Sequence, residues 1–171
     1  AARAIALIED GRPITNEALG SLLIRLRLLR SHALVELRDF TWARADLDLV
    51  LSAALGNPDT EGEARLLLGT MHHLEGDRQA ARNELGRSVD LLRSSGNQLL
   101  LAGALRQRGF IELFGGSLED AEWFFGEAEG VYSELADERG LAYVEQYRAW
   151  LSFLSGDLDK ADERLHHAAE T

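Results

Sequence analysis

Apolar residues recur at steps of three and four along almost the whole chain, and no stretch alternates with a period of two. A 3.6-residue period places such positions on one face of a helix, whereas a strand face needs every second residue. The pattern predicts helices near 16–37, 41–55, 58–75, 78–94, 98–115, 118–135, 138–154 and 158–170. Residues 2–10 read as the tail of a preceding helix pair. Short polar residues stand at the helix starts. Asn57, Asn97 and Asp137 suit N-caps, where a side-chain oxygen accepts from a free backbone N–H, and Asp39, Asp77, Ser117 and Asp157 suit the same role one helix later. Pro58 follows Asn57 at the first helical position, where its missing donor costs nothing. Gly76, Gly116 and Gly156 fall in the turn within each pair, where a left-handed residue ends the first helix.

The same residue types return every 40 positions. Gly69, Gly109 and Ala149 form one set; Gly76, Gly116 and Gly156 a second; Ala81, Ala121 and Ala161 a third. Leu85, Phe125 and Leu165 follow, and then Ser88, Ala128 and Ala168. An earlier copy fits at a spacing of 38 through Ser31, Asp39, Ala43, Leu47 and Val50. Small residues at these offsets, with a large one four later, describe a recurring close helix–helix contact. A single helix pair cannot bury its apolar face, so stacked neighbours must make the core.

At this point the chain resembles the tetratricopeptide repeat family. The resemblance rests on Leu68-Gly69 midway along a first helix, on the Gly-Asp turns Gly76-Asp77 and Gly156-Asp157, and on the Ala, large apolar and small residues of the second helices. It covers residues 20–170. The family's usual period is about 34. The longer period here is similar to arrays in bacterial signal-transduction regulators, and Ala136-Asp137-Glu138-Arg139-Gly140-Leu141-Ala142 has that character. HEAT and armadillo repeats share the period, but the Gly and Ala positions favour the tetratricopeptide reading. The resemblance implies an all-α, right-handed superhelical solenoid of antiparallel hairpins. It has about four repeats, near 16–55, 58–94, 98–135 and 138–170, plus part of a preceding one. One continuous folded unit over 1–171 is expected. The start on Ala1 and the end after His166-His167-Ala168-Ala169 are read as those of a fragment. The pattern departs from the family at Arg30, Arg108 and Arg148, where Leu is usual. It departs also at His72, Glu112 and Ser152, where a large aromatic is usual. The three arginines need partners, and Glu112 and Glu145 are expected to supply an ion-pair ladder between hairpins.

Charge narrows the function classes. The formal net charge is −11, from 29 acidic and 18 basic residues. Such a chain repels phosphate, which argues against nucleic acid and anionic membrane surfaces. The chain has no cysteine, so disulfides and thiolate metal sites are excluded. The most apolar stretch, Leu22 to Leu37, is interrupted by arginines and Glu36, so membrane insertion is not expected. A cytoplasmic location is expected. His72-His73-Leu74-Glu75 lacks the His-Glu-x-x-His spacing of a metalloprotease. No metal, cofactor or catalytic residue is expected, and no phosphate loop or nucleophile–base pattern is present.

In the family, first helices line a concave groove. The resemblance then implies groove positions at Arg25, Leu28, His32 and Val35; at Glu63, Leu66, Thr70 and His73; at Arg106, Phe110, Leu113 and Phe114; and at Tyr143, Gln146, Trp150 and Phe153. Aromatics beside Arg are typical of binding hot spots. Arg106, Phe110, Phe114, Tyr143, Gln146, Trp150 and His73 are therefore the expected partner-binding residues. Against this, Trp150, Phe153 and Leu154 also suit packing against a following hairpin. For His32 and His73 simple packing or solvation is the favoured reading; the alternative is that both face the groove and make binding sensitive to pH near 6.5. Trp123 and Phe124 stand where neighbouring repeats carry Asn83-Glu84 and Glu163-Arg164, which suits either a second, convex contact or burial under a neighbouring loop or helix end. The expected function is a scaffold for a peptide or protein partner, with homodimer contacts or self-association through the array ends. The alternative is a ligand- or domain-sensing arm of a larger signal-transduction or transcriptional regulator. An enzyme is not expected.

Overall fold

The computed structural model describes residues 16–54 and 56–170, so the tail expected over 2–10 lies outside the described residues. They form eight helices and no strand: α1 (Asn16–Glu36), α2 (Phe40–Ala53), α3 (Pro58–Glu75), α4 (Arg78–Ser95), α5 (Gln98–Gly115), α6 (Leu118–Leu135), α7 (Glu138–Leu154) and α8 (Leu158–Glu170). The chain divides into two compact units, one ending at Ala53 and one beginning at Ala54. The first holds the hairpin α1–α2. The second holds three hairpins, α3–α4, α5–α6 and α7–α8, with each packed on the next through α4 and α5 and through α6 and α7.

Caps set the helix starts as the residue types predict. Asn57, Asp77, Asn97 and Asp137 accept from the backbone N–H three residues on, at 3.0–3.3 Å. Ser117 differs: its hydroxyl bonds to Asp120 Oδ2, 2.5 Å away, and caps nothing. The hydroxyl donates to the carboxylate one turn later and accepts from no backbone N–H of the helix start. Gly76 ends α3 with φ of 87°, and the N–H of Asp77 returns to the carbonyl of His72 at 2.8 Å. Between hairpins the same left-handed corner falls on Gly96 and then, 40 residues on, on Ala136 with φ of 52°.

The small residues allow close helix crossing. A Cβ on Gly69 would lie 2.6 Å from Leu85 Cγ, and one on Gly109 would lie 2.6 Å from Phe125 Cε1. Leu85 and Phe125 are wholly buried, each in an apolar cluster that continues into the next hairpin. Leu165, at the matching place on α8, is 49% exposed, because among the described helices α8 packs only on α7. In the first unit, Ser31, Ala43, Leu47 and Val50 are all wholly buried, as the 38-residue spacing requires.

Arginines sit against these cores with carboxylate partners. Glu112, only 3% exposed, accepts from Arg82 Nε at 3.1 Å across the α4–α5 boundary and from Arg108 Nε at 2.8 Å. Arg148 reaches back to Glu129 on α6 at 2.6 Å and to Glu122 at 3.1 Å. Glu145 lies farther from Arg148, at 3.9 Å, and bonds instead to Arg164 at 3.0 Å. The expected ladder thus exists, with Glu129 in the place expected for Glu145. Arg30 stays within its own hairpin: it shares the buried Asp46 with Arg27, whose Nη1 donates at 2.7 Å. The guanidinium of Arg30 holds the Asp46 carboxyl below its ordinary range against the opposing effect of burial.

A candidate partner-binding face

The first helices of the second unit, α3, α5 and α7, lie side by side. Side chains at i, i+4 and i+7 spacing therefore meet from helix to helix. His73 on α3 meets Phe110 on α5 edge-on, with ring centroids 5.1 Å apart. Phe110 contacts Phe114 at 4.8 Å and Tyr147 on α7 at 5.0 Å. Phe114 approaches Trp150 at 6.4 Å, and Trp150 meets Phe153 at 5.9 Å. Six rings from three hairpins thus make one continuous aromatic face. Its outer members stay open: Phe114 is 43% exposed and Trp150 47%.

Arg106 lies at one end of this face. Its guanidinium carbon stands 5.0 Å from the Tyr143 ring centroid and 5.8 Å from that of Tyr147, and Nη1 donates to the Tyr147 hydroxyl at 3.4 Å. Gln146 turns away from the ladder. It lines a cavity of about 300 Å³ between α7 and α8 with Arg139, Tyr143 and Leu165. Tyr147 is a site residue that the repeat comparison passes over. Its counterparts 40 and 80 residues earlier are Gln107 and Leu67, so nothing in the repeat marks it. The signal lay in α7 itself: Tyr147 continues the stripe from Tyr143 to Trp150. Tyr147 also stacks on the buried Phe125 at 5.8 Å, which ties the face to the core.

Several expected groove positions lie elsewhere. Leu113, Leu28 and Val35 are buried in the cores of their units, because the apolar stripes of these helices are wider than the groove register assumes. Arg25 and His32 are exposed on α1, in the other unit. Glu63, Leu66, Thr70 and His73 are half-buried on α3, and the Thr70 hydroxyl is used by the Leu66 carbonyl. Burial pushes the His73 imidazole below its ordinary value of 6.5, with Arg78 adding to the effect. His73 therefore titrates below the pH expected for it.

Trp123 is 53% exposed on α6 and meets Phe124 edge-on at 4.7 Å. Phe124 is not a free surface residue. It packs on the main core cluster and carries Arg108 over its ring at 5.3 Å. The reason is a contact repeated in every hairpin. Arg27–Asp46 occupies it in the first at 2.7 Å, Arg65–Glu84 in the second at 2.7 Å and Glu145–Arg164 in the fourth at 3.0 Å. In the third hairpin Leu105 and Phe124 stand at these two positions. An apolar pair has replaced an ion pair, which leaves Trp123 as the exposed half of the expected convex contact.

Among the described residues no His, Asp and Glu grouping could hold a metal ion, and no helix is long and apolar enough to cross a membrane. No protein-family model matches the chain, and no curated protein matches it.

Proposed function

We propose that the second unit is an interaction scaffold that presents its first-helix face to a peptide or protein partner. The observation that carries this reading is the continuous ladder from His73 through Phe110, Phe114 and Trp150 to Phe153, held on rigid helices and open to solvent at its outer rings. Large aromatics beside an arginine concentrate binding energy, because they bury much area at little conformational cost. The resemblance to tetratricopeptide arrays, with a superhelical groove and a place in bacterial signal transduction, agrees with this reading, and no catalytic role is proposed. The test is a pull-down from source lysate with the natural chain and a Phe110→Ala/Trp150→Ala variant, both checked for equal helicity. A partner kept by the first and lost by the second supports the face; a partner kept by both sinks it.

The cavity between α7 and α8 favours a second reading, a ligand-sensing arm of a larger regulator. Its volume of about 300 Å³, with Arg139, Gln146 and Tyr143 converging, is at the small end of ligand pockets. A small ligand there would protect Tyr143 and Leu165 without touching Trp150. For self-association, Trp123→Gln is the appropriate variant, since changing Phe124 would disturb the core. An unchanged sedimentation profile in Trp123→Gln would exclude a dimer through this residue.

A further inference from the structure

Among the described residues, Arg106 is a half-buried cation without a counter-charge. Arg27, Arg65, Arg82, Arg108, Arg148 and Arg164 are half-buried like it, and each reaches a carboxylate. Arg106 reaches none among the described residues; its one hydrogen bond goes to a phenol, and its Nε is buried with no partner. A guanidinium has five donors in a fixed fork, and leaving them unused in a partly desolvated place is costly. Its surroundings make it a held receptor rather than a loose surface charge. Tyr143 and Tyr147 lie beneath it and fix the plane of the fork. Tyr143 joins this place to the α7–α8 cavity, whose wall carries the exposed Arg139.

We propose that Arg106 receives the side-chain carboxylate of an acidic residue on the partner segment, in a fixed register with apolar anchors. This rests on the partner-binding reading of the face and specifies its ligand. Arg106, Phe110 and Phe114 stand four residues apart along α5. At 1.5 Å per residue, the ring positions lie about 6 and 12 Å from the arginine. The segment is therefore one whose Asp or Glu is followed or preceded, at about those distances, by two large apolar side chains. On a helix that is i+4 and i+8. The net negative charge opposes an acidic partner only at long range. With a Debye length of about 10 Å at 0.1 M salt, the contact groups decide.

The test is selection from a random peptide library, displayed through its C-terminus so that no free terminal carboxylate is offered. The baits are the natural chain, Arg106→Gln and Phe110→Ala/Trp150→Ala, each checked by circular dichroism. The expected result on the natural chain is enrichment of an acidic residue at that register with two apolar ones. On Arg106→Gln the acidic preference should vanish while the apolar one remains. The best peptide, resynthesised with Gln for its acidic residue, should bind the natural chain about tenfold more weakly or worse. That last measurement stands even if Arg106→Gln fails to fold. Apolar enrichment with no acidic preference, or equal binding of the Gln peptide, overturns the carboxylate receptor and leaves the face intact. No enrichment above the Phe110→Ala/Trp150→Ala bait overturns both.

Discussion

Gly109 and Ala136 show how much a single Cβ decides. Phe125 occupies the space a side chain at 109 would need, with Cε1 and Cδ1 at 2.6 and 2.7 Å from the added atom. Gly109→Ala must push a wholly buried ring out of place, and overpacking of this kind costs about 1–3 kcal/mol. Chemical denaturation should show a lower midpoint, and an unchanged midpoint would mean that the α5–α6 crossing is looser than described. Ala136 has the opposite problem, holding φ of 52° at a corner where Gly96 stands one repeat earlier. Left-handed backbone costs a residue with a Cβ about 1–2 kcal/mol, part of which glycine returns through its freer unfolded chain. Ala136→Gly should therefore raise stability by about 0.5–1 kcal/mol, read as a higher melting temperature. His73 adds a pH dependence. Its folded-state pKa is lowered, so between that value and 6.5 the unfolded chain binds more protons than the folded one. Stability is then full above pH 6.5 and falls as pH drops through the folded value. Melting temperatures between pH 7.5 and about 5 should decline less in His73→Gln than in the natural chain, and an NMR titration should place the His73 midpoint below 6.5.

At the scale of helix pairs, the recurring intrahairpin contact is the instructive element. Arg65 reaches both Glu84 at 2.7 Å and Glu61 at 2.7 Å, with side chains about one-fifth exposed. Arg65→Leu alone leaves Glu84 half-buried with only Arg87, 3.9 Å away, and takes from Glu61 its arginine, and should cost about 1–2 kcal/mol, discounted for residual solvent access. Arg65→Leu/Glu84→Phe copies the third hairpin's Leu105 and Phe124 and should recover part of that loss, since apolar pairs replace buried ion pairs at little cost, while Glu61 still lacks its arginine. If the double variant is weaker than the single, the two hairpins are not packed alike at this contact. The substitution was readable in the sequence, as Phe124 in register with Asp46, Glu84 and Arg164. Its meaning was not, because a large apolar residue at a polar position looks the same from sequence whether it faces water or a matching leucine.

At the scale of the molecule, the described residues of the second unit include two apolar clusters, one built from α4 to α7 and one from α4 and α5. A chain beginning at Ala54 should therefore fold by itself, with high helicity and a cooperative thermal transition. A broad, non-cooperative melt would show that the first unit is needed for its packing. The aromatic face and Arg106 lie wholly within this unit, so partner binding should survive the truncation as well.

Helix positions, caps, the 38- and 40-residue registers and the pairing of Gly69 and Gly109 with large residues were all set by local rules. Backbone periodicity and cap chemistry depend on residues a few positions apart, and the sequence determines those directly. Which side chains meet across helices was decided only by the tertiary structure. Neither register nor composition shows that Tyr147 joins the ladder, that Glu129 rather than Glu145 holds Arg148, or that Leu113 and Phe124 turn inward. Those choices depend on crossing geometry, which is summed over many weak contacts from three helices at once. Arg106 is the clearest case: only its position over two tyrosines leaves it without a carboxylate among the described residues.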